Sequence, residues 1–111
     1  MLRGPMEELT GRDRRHLRRL AHALDPVVQV GAAGVTAGVI AALGRALEDH
    51  ELVKVRIERE RDERRALADA LVRATGSALA GLVGHVAVLY RPARAPERRK
   101  IALPSRARRR D

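Results

Sequence analysis

The residues most able to do chemistry form the segment Gly31-Ala32-Ala33-Gly34, between a predicted strand and a predicted helix that Thr36 can cap. Glycines let the backbone adopt positive φ and approach a phosphate closely. The first amides of a helix lack internal partners, and the helix dipole favours an anion there. A GxxG turn of this kind can clamp an RNA backbone. An ordinary tight turn would use the same residues, and Gly81-Leu82-Val83-Gly84 repeats the pattern inside a predicted strand, so context must decide.

The context that favours a phosphate site is an arginine-rich helix predicted over residues 10–24, with Thr10 as N-cap and Asp13 as its capping-box partner. A solvated face is the usual explanation of such a charge run, yet one acid among five arginines is a large excess for solubility alone. Other basic side chains are placed on a strand or near its end. We predict RNA contacts from Arg12, Arg15, Arg18, Arg19, Lys54, Arg56, Arg91 and Lys100.

Positive charge is concentrated at both ends of the 111-residue chain. Residues 1–19 carry a net charge of +3, residues 20–90 carry −1, and residues 91–111 carry +7, which gives +9 in total. Frequent use of arginine (21 Arg against 2 Lys) could reflect genome composition, but it would not crowd the cations at the ends. This distribution is typical of a protein that meets a polyanion.

Composition excludes several other classes of function. The chain has no cysteine, which removes disulfides and thiolate metal sites, and His16, His22, His50 and His85 lack metal-ligand spacing. One tyrosine without Phe or Trp argues against stacking of unpaired bases. No apolar run is long enough to span a membrane. We therefore expect a cytoplasmic monomer, not an enzyme, with no cofactor, metal, membrane or small-molecule substrate.

The hydrophobic pattern predicts an α/β fold in the order α-β-α-β-α-β-β, with one mixed sheet of about four strands and helices packed on it. The predicted helices cover residues 10–24, 36–49 and 62–75, and the strands 27–30, 51–58, 78–83 and 86–90. Ile101–Pro104 is predicted as a short edge segment. We divide the chain into an N-terminal extension (1–8), a single domain (9–104) and a basic, disordered tail (105–111).

As a set, several segments in order resemble the CRM (chloroplast RNA splicing and ribosome maturation) domain, in its stand-alone bacterial YhbY-type form. The matching segments are Leu17–His22, Pro26–Thr36, Ala46–Ile57, Val88–Pro92 and Lys100–Pro104. The resemblance implies a fold like the C-terminal domain of translation initiation factor three. It also implies RNA binding through the GxxG loop, and association with ribosomal RNA or the precursor of the large ribosomal subunit.

The chain departs from that family's pattern in two places. Members often carry a lysine inside the loop, where this chain has Ala32 and Ala33, and they usually have glycine at the position of Arg19. Our hypothesis is that Arg15, Arg18, Arg19 and the tail supply more of the RNA affinity than the loop does. Three alternatives stay open: a basic protein that also coats duplex DNA, an adaptor that docks on an acidic protein, and a small hydrolase, for which we find no catalytic cluster.

Overall fold

The computed structural model describes residues 8–107, and it contains the seven predicted elements in the predicted order. The N-terminal extension assigned to residues 1–8 falls almost entirely outside the described residues. The elements are α1 (Gly11–Ala21), β1 (Val28–Val30), α2 (Ala37–His50), β2 (Leu52–Ile57), α3 (Arg61–Thr75), β3 (Ala78–Val83), β4 (Val86–Tyr90), a 3₁₀ turn (Pro96–Arg98) and α4 (Pro104–Ala107).

The four strands form one mixed sheet, as predicted, and their order in it is β1-β2-β4-β3. β1 runs parallel to β2, with Val30 opposite Ile57. β4 runs antiparallel to both β2 and β3, and Leu52 at the start of β2 lies opposite Tyr90 at the end of β4. β1 and β3 are therefore the two edges of the sheet.

Alternating side chains give the sheet two buried faces, because successive residues of a strand point to opposite sides. One face packs against α2 and α3, where Leu43, Leu47 and Leu71 are almost fully buried. The other face packs against α1 through Leu17 and Ala21. The domain thus has three layers, with α1 on one side of the sheet and α2 and α3 on the other.

The helix ends follow the signals in the sequence. The Thr10 hydroxyl accepts a hydrogen bond from the Asp13 amide, and the Asp13 carboxylate accepts one from the Thr10 amide, which completes the predicted capping box. The Thr36 hydroxyl caps α2 by accepting from the Val39 amide. α3 ends at Gly76 in the left-handed conformation, where glycine avoids the strain of a side chain.

The C-terminal segment differs from the prediction. Ile101–Leu103 forms no strand, because the amides of Ala93, Lys100 and Ile101 donate to the buried Glu51 carboxylate and are unavailable to a sheet edge. Leu103 is instead buried beside α1 and β4. Among the described residues, no helix is both long and apolar enough to cross a membrane.

The tail prediction is also wrong for its first residues, since Ser105 belongs to α4 and donates from its amide and its hydroxyl to the buried Asp13 carboxylate. Burial raises the pKa of Asp13, but hydrogen bonds from Ser105 and Thr10 outweigh that effect and hold the pKa below its ordinary value of 3.8. Two buried carboxylates, Asp13 and Glu51, thereby fix the segment after β4 to the domain. The rest of the predicted tail, residues 108–111, lies outside the described residues.

Candidate nucleic-acid interface

The GxxG segment lies at the end of the sheet where parallel β1 and β2 finish, which we call the loop end. The Gly34 amide donates to the Gly31 carbonyl at 3.0 Å, closing a tight turn with Ala32 and Ala33 exposed at its tip. Gly34 has φ +79°, a conformation that favours glycine. A Cβ placed on Gly31 would meet no atom within 4 Å, so the space beside the turn is open.

The start of α2 follows this turn and leaves backbone donors exposed. Thr36 satisfies the Val39 amide at 3.1 Å, and Ile40 donates to the Thr36 carbonyl. Within residues 8–107, the amides of Ala37 and Gly38 have no hydrogen-bond acceptor. Free amides at the positive end of a 14-residue helix can bind a phosphate oxygen.

Arg59 supports the loop from behind, a role that the sequence did not reveal. Its Nη2 donates to the carbonyls of Gly31 at 2.9 Å and Ala32 at 3.3 Å, and its own carbonyl accepts from Arg64. The guanidinium offsets two carbonyl dipoles that would repel an anion. Arg59 lies in a run of alternating charges over residues 58–65, and it pairs with Glu63 at 3.4 Å. The available signal was its position just after β2, whose end lies beside the loop.

Arg56 lies close to the loop, as its predicted role requires. It is opposite Gln29 of β1, two residues before Gly31, and its side chain is 43% exposed. Its Nη1 donates to a Glu58 oxygen at 2.8 Å. Arg56 shares a sheet face with Leu52, which is the face that α1 partly covers. An RNA strand crossing this face would compete with Glu58 for the guanidinium.

The arginines of α1 divide into two groups. Arg12, Arg15 and Arg19 are exposed on the outer side of the helix, away from buried Leu17. Arg18 instead reaches across β3, where its Nη1 donates to the Ala80 carbonyl at 2.9 Å. The outward group forms a basic surface on the sheet face that also carries Arg56.

Three predicted contacts lie away from the loop, toward the opposite end of the sheet, which we call the carbonyl end. There Lys54 Nζ donates to the Leu24 carbonyl after α1 at 2.7 Å, and Lys100 Nζ donates to the Asp49 carbonyl in α2 at 2.9 Å. Arg91 donates to the Thr75 carbonyl, the last of α3, at 2.8 Å. Each cation satisfies a carbonyl near a helix C-terminus, where the helix dipole favours positive charge. The structure does not bring these side chains to the loop.

In the part of the chain that the structure describes, no three His, Asp or Glu side chains are grouped so that they could hold a metal ion. Two of the acidic residues near the loop end are instead paired with arginines. Arg56 pairs with Glu58 and Arg59 with Glu63. The chemistry offered at the loop end is therefore hydrogen-bond donation to an anion.

Comparison with known proteins agrees with the resemblance read from the sequence. Residues 9–91 match the model of the CRS1/YhbY (CRM) domain. The chain is 41% identical over 100 residues to an RNA-binding protein of Haemophilus influenzae, covering 89% of this chain and 98% of that one. It is 39% identical over 97 residues to YqeI, a probable RNA-binding protein of Bacillus subtilis, covering 86% and 99%.

A solved structure also matches the fold. The solution structure of a hypothetical protein from Staphylococcus aureus, described as a candidate RNA-binding protein, superposes with a TM-score of 0.74 at 34% identity. The match covers 86% of this chain and all of the other. The match to the family model over residues 9–91 places this chain in the CRS1/YhbY (CRM) domain family.

Proposed function

We propose that this protein is an RNA-binding module, not an enzyme, and that it holds structured RNA by its sugar-phosphate backbone at the loop end. The observation that carries the proposal is the open turn at residues 31–34, followed by the unpaired amides of Ala37 and Gly38. Backbone amides at a helix start recognise phosphate without reading the base. The RNA-binding relatives support the same class of partner.

The exposed cations of the domain favour backbone contacts over base recognition. Arg56 on the sheet and Arg12, Arg15 and Arg19 on α1 are accessible to a phosphate. The only aromatic side chain, Tyr90, is buried and cannot stack on a base. Four to six phosphate contacts would give a slope of log K against log salt of roughly −3 to −4.

Replacing Ala33 with glutamate tests the loop directly, because Ala33 is exposed at the tip of the turn. The new carboxylate would repel a phosphate and should weaken binding to a transcribed large-subunit ribosomal RNA by roughly tenfold. Ala74→Glu is the matched control, since Ala74 is also exposed but lies in the last turn of α3 near the carbonyl end. Equal affinities of the two variants would contradict the proposal.

We further propose that the RNA is a precursor of the large ribosomal subunit and that the protein acts as a monomer during its assembly. Support comes from the family to which the chain belongs. Sucrose-gradient sedimentation of a cell lysate, with sequencing of RNA crosslinked to the tagged protein, tests this. We expect the protein in immature large-subunit fractions, with crosslinks near Gly31–Gly34. Its absence from all ribosomal fractions would contradict the assembly role.

A second candidate function is general coating of nucleic acid, including duplex DNA. The exposed arginines of α1 favour it, because phosphate contacts alone do not distinguish DNA from RNA. Competition between labelled structured RNA and excess duplex DNA separates the two. An RNA-binding module keeps its RNA, whereas a coating protein is displaced in proportion to the added phosphate.

A further inference from the structure

A basic groove follows the free edge of β3, which is the edge of the sheet opposite β1. Its volume is about 460 Å³, and residues 79–82 of β3 line it. Arg14 and Arg18 of α1 approach it from one face of the sheet, and Arg65 and Asp69 of α3 from the other. Three guanidinium groups against one carboxylate leave the groove with an excess of positive charge.

Each arginine of this groove makes a hydrogen bond within the protein and retains unused donors. Arg14 Nη1 donates to the Leu9 carbonyl at 2.8 Å, and Arg18 Nη1 donates to the Ala80 carbonyl at 2.9 Å. Arg65 Nε donates to Asp69 Oδ1 at 3.3 Å. A guanidinium carries five N–H donors. The bonds within the protein therefore leave further N–H donors of each arginine for a ligand.

The sequence of β3 makes room for Arg18. A Cβ on Gly81 would lie 2.6 Å from Arg18 Cδ, so a side chain there would displace the arginine. The register between β3 and β4 shifts between Leu79 and Gly81, at Ala80, whose carbonyl accepts from Arg18. An uncharged edge strand is prone to pair with other strands, and an arginine laid across it also blocks that pairing.

We infer that this groove binds a phosphate group of the RNA backbone, at a contact separate from the loop end. The inference rests on the proposed RNA-binding function and assigns new roles to Arg14 and Arg65. Three interstrand spacings, about 14 Å in total, separate the edge strands β1 and β3. One phosphate cannot reach both sites, so the groove and the loop together select a folded RNA that presents two separated backbone segments.

Charge reversal at Arg65 tests the groove with little risk to the fold, because its side chain is 62% exposed. We expect Arg65→Glu to weaken binding to a transcribed large-subunit ribosomal RNA roughly tenfold and to make the salt slope shallower by about one. Arg73→Glu is the matched control on the same helix, where Arg73 is exposed and outside the groove. Its affinity should stay within about twofold of the parent.

Asp69→Asn should change the RNA affinity in the opposite direction. Removing the one carboxylate of the groove should tighten binding by roughly twofold, which damage to the fold would not do. Equal affinities of Arg65→Glu and Arg73→Glu, with Ala33→Glu still weakened, would overturn the groove and leave the proposed function standing. If neither Ala33→Glu nor Arg65→Glu changes affinity, both proposals fail. Self-association of Arg65→Glu at unchanged RNA affinity would mean that the arginines only protect the strand edge.

Discussion

The two ends of the sheet use the same kinds of residue for opposite purposes. At the loop end, α2 and α3 begin, and the amides of Ala37 and Gly38 face solvent. At the carbonyl end the same helices finish, and Lys100 and Arg91 donate to their last carbonyls. The loop end presents unpaired amide donors to an anion. At the carbonyl end, Lys100 and Arg91 instead donate to backbone carbonyls of the domain.

This difference shows why a count of basic residues does not locate an RNA site. Arg59 and Arg91 illustrate this difference, since each donates to two backbone carbonyls. Arg59 binds those of Gly31 and Ala32 in the loop, and Arg91 those of Thr75 and Gly44 in the helices. The same bonds prepare a binding surface in one case and stabilise helix packing in the other.

The largest expected effect is the loss of the Glu51 carboxylate near the carbonyl end. Glu51→Ala would leave three amides without their acceptor and should lower the free energy of unfolding by about 3–5 kcal/mol. Glu51 also has φ +67°, a strained conformation that its hydrogen bonds maintain. Chemical denaturation measures the change, with exposed Glu97→Ala as control. A loss below about 1 kcal/mol would mean that the C-terminal segment is held by other contacts.

Arg91→Met should affect stability and spare RNA binding. It removes two hydrogen bonds to helix carbonyls and an ion pair with Glu48 at 3.4 Å, so we expect a loss of about 1–2 kcal/mol. Binding of RNA by the folded variant should stay unchanged. Weakened binding at full stability would place Arg91 in the interface and break the distinction between the two ends.

Arg59→Met should have the reverse effect. The loop loses the cation behind its carbonyls, so RNA affinity should fall by roughly five- to tenfold. Stability should change by less than about 1 kcal/mol, because these bonds lie at the surface. Fluorescence anisotropy with labelled RNA and denaturation of the same sample measure both quantities. A large loss of stability with intact affinity would contradict the assigned role.

The smallest effect concerns pH. Because the pKa of Asp13 is depressed in the folded protein, its contribution to stability is present above the ordinary value of 3.8. That contribution is lost as pH falls through the lower, folded-state pKa. Denaturation between neutral pH and pH of about 2 should show this decline, and Asp13→Asn should remove that part of it. An identical acid profile for the parent and Asp13→Asn would refute the contribution.

The parts of the fold that follow from local sequence were predictable. The Thr10–Asp13 capping box depends on residues three apart, and the β3–β4 hairpin on Gly84-His85 between two apolar runs. Alternation in β2 placed Lys54 and Arg56 on one face because the side-chain period of a strand is fixed.

The contacts that the sequence concealed are long-range. Glu51 binds amides more than 40 residues away, and Arg59 binds a loop nearly 30 residues earlier. Asp13, recognised only as a local cap, also binds Ser105 across the whole domain. Such bonds depend on the register of the sheet, which brings distant parts of the chain together. No local sequence pattern predicts them. For the same reason the sequence did not reveal the carbonyl partners of Arg91 and Lys100.

The most direct test of the account is backbone amide NMR of the labelled protein during titration with a structured RNA. We predict that the amide signals of Gly31–Gly34, Ala37 and Gly38 shift or broaden first, because these residues form the proposed phosphate site. Signals of Leu24, Asp49 and Thr75 at the carbonyl end should stay in place. Shifts concentrated at the carbonyl end, with the loop signals unmoved, would contradict RNA binding at the loop end.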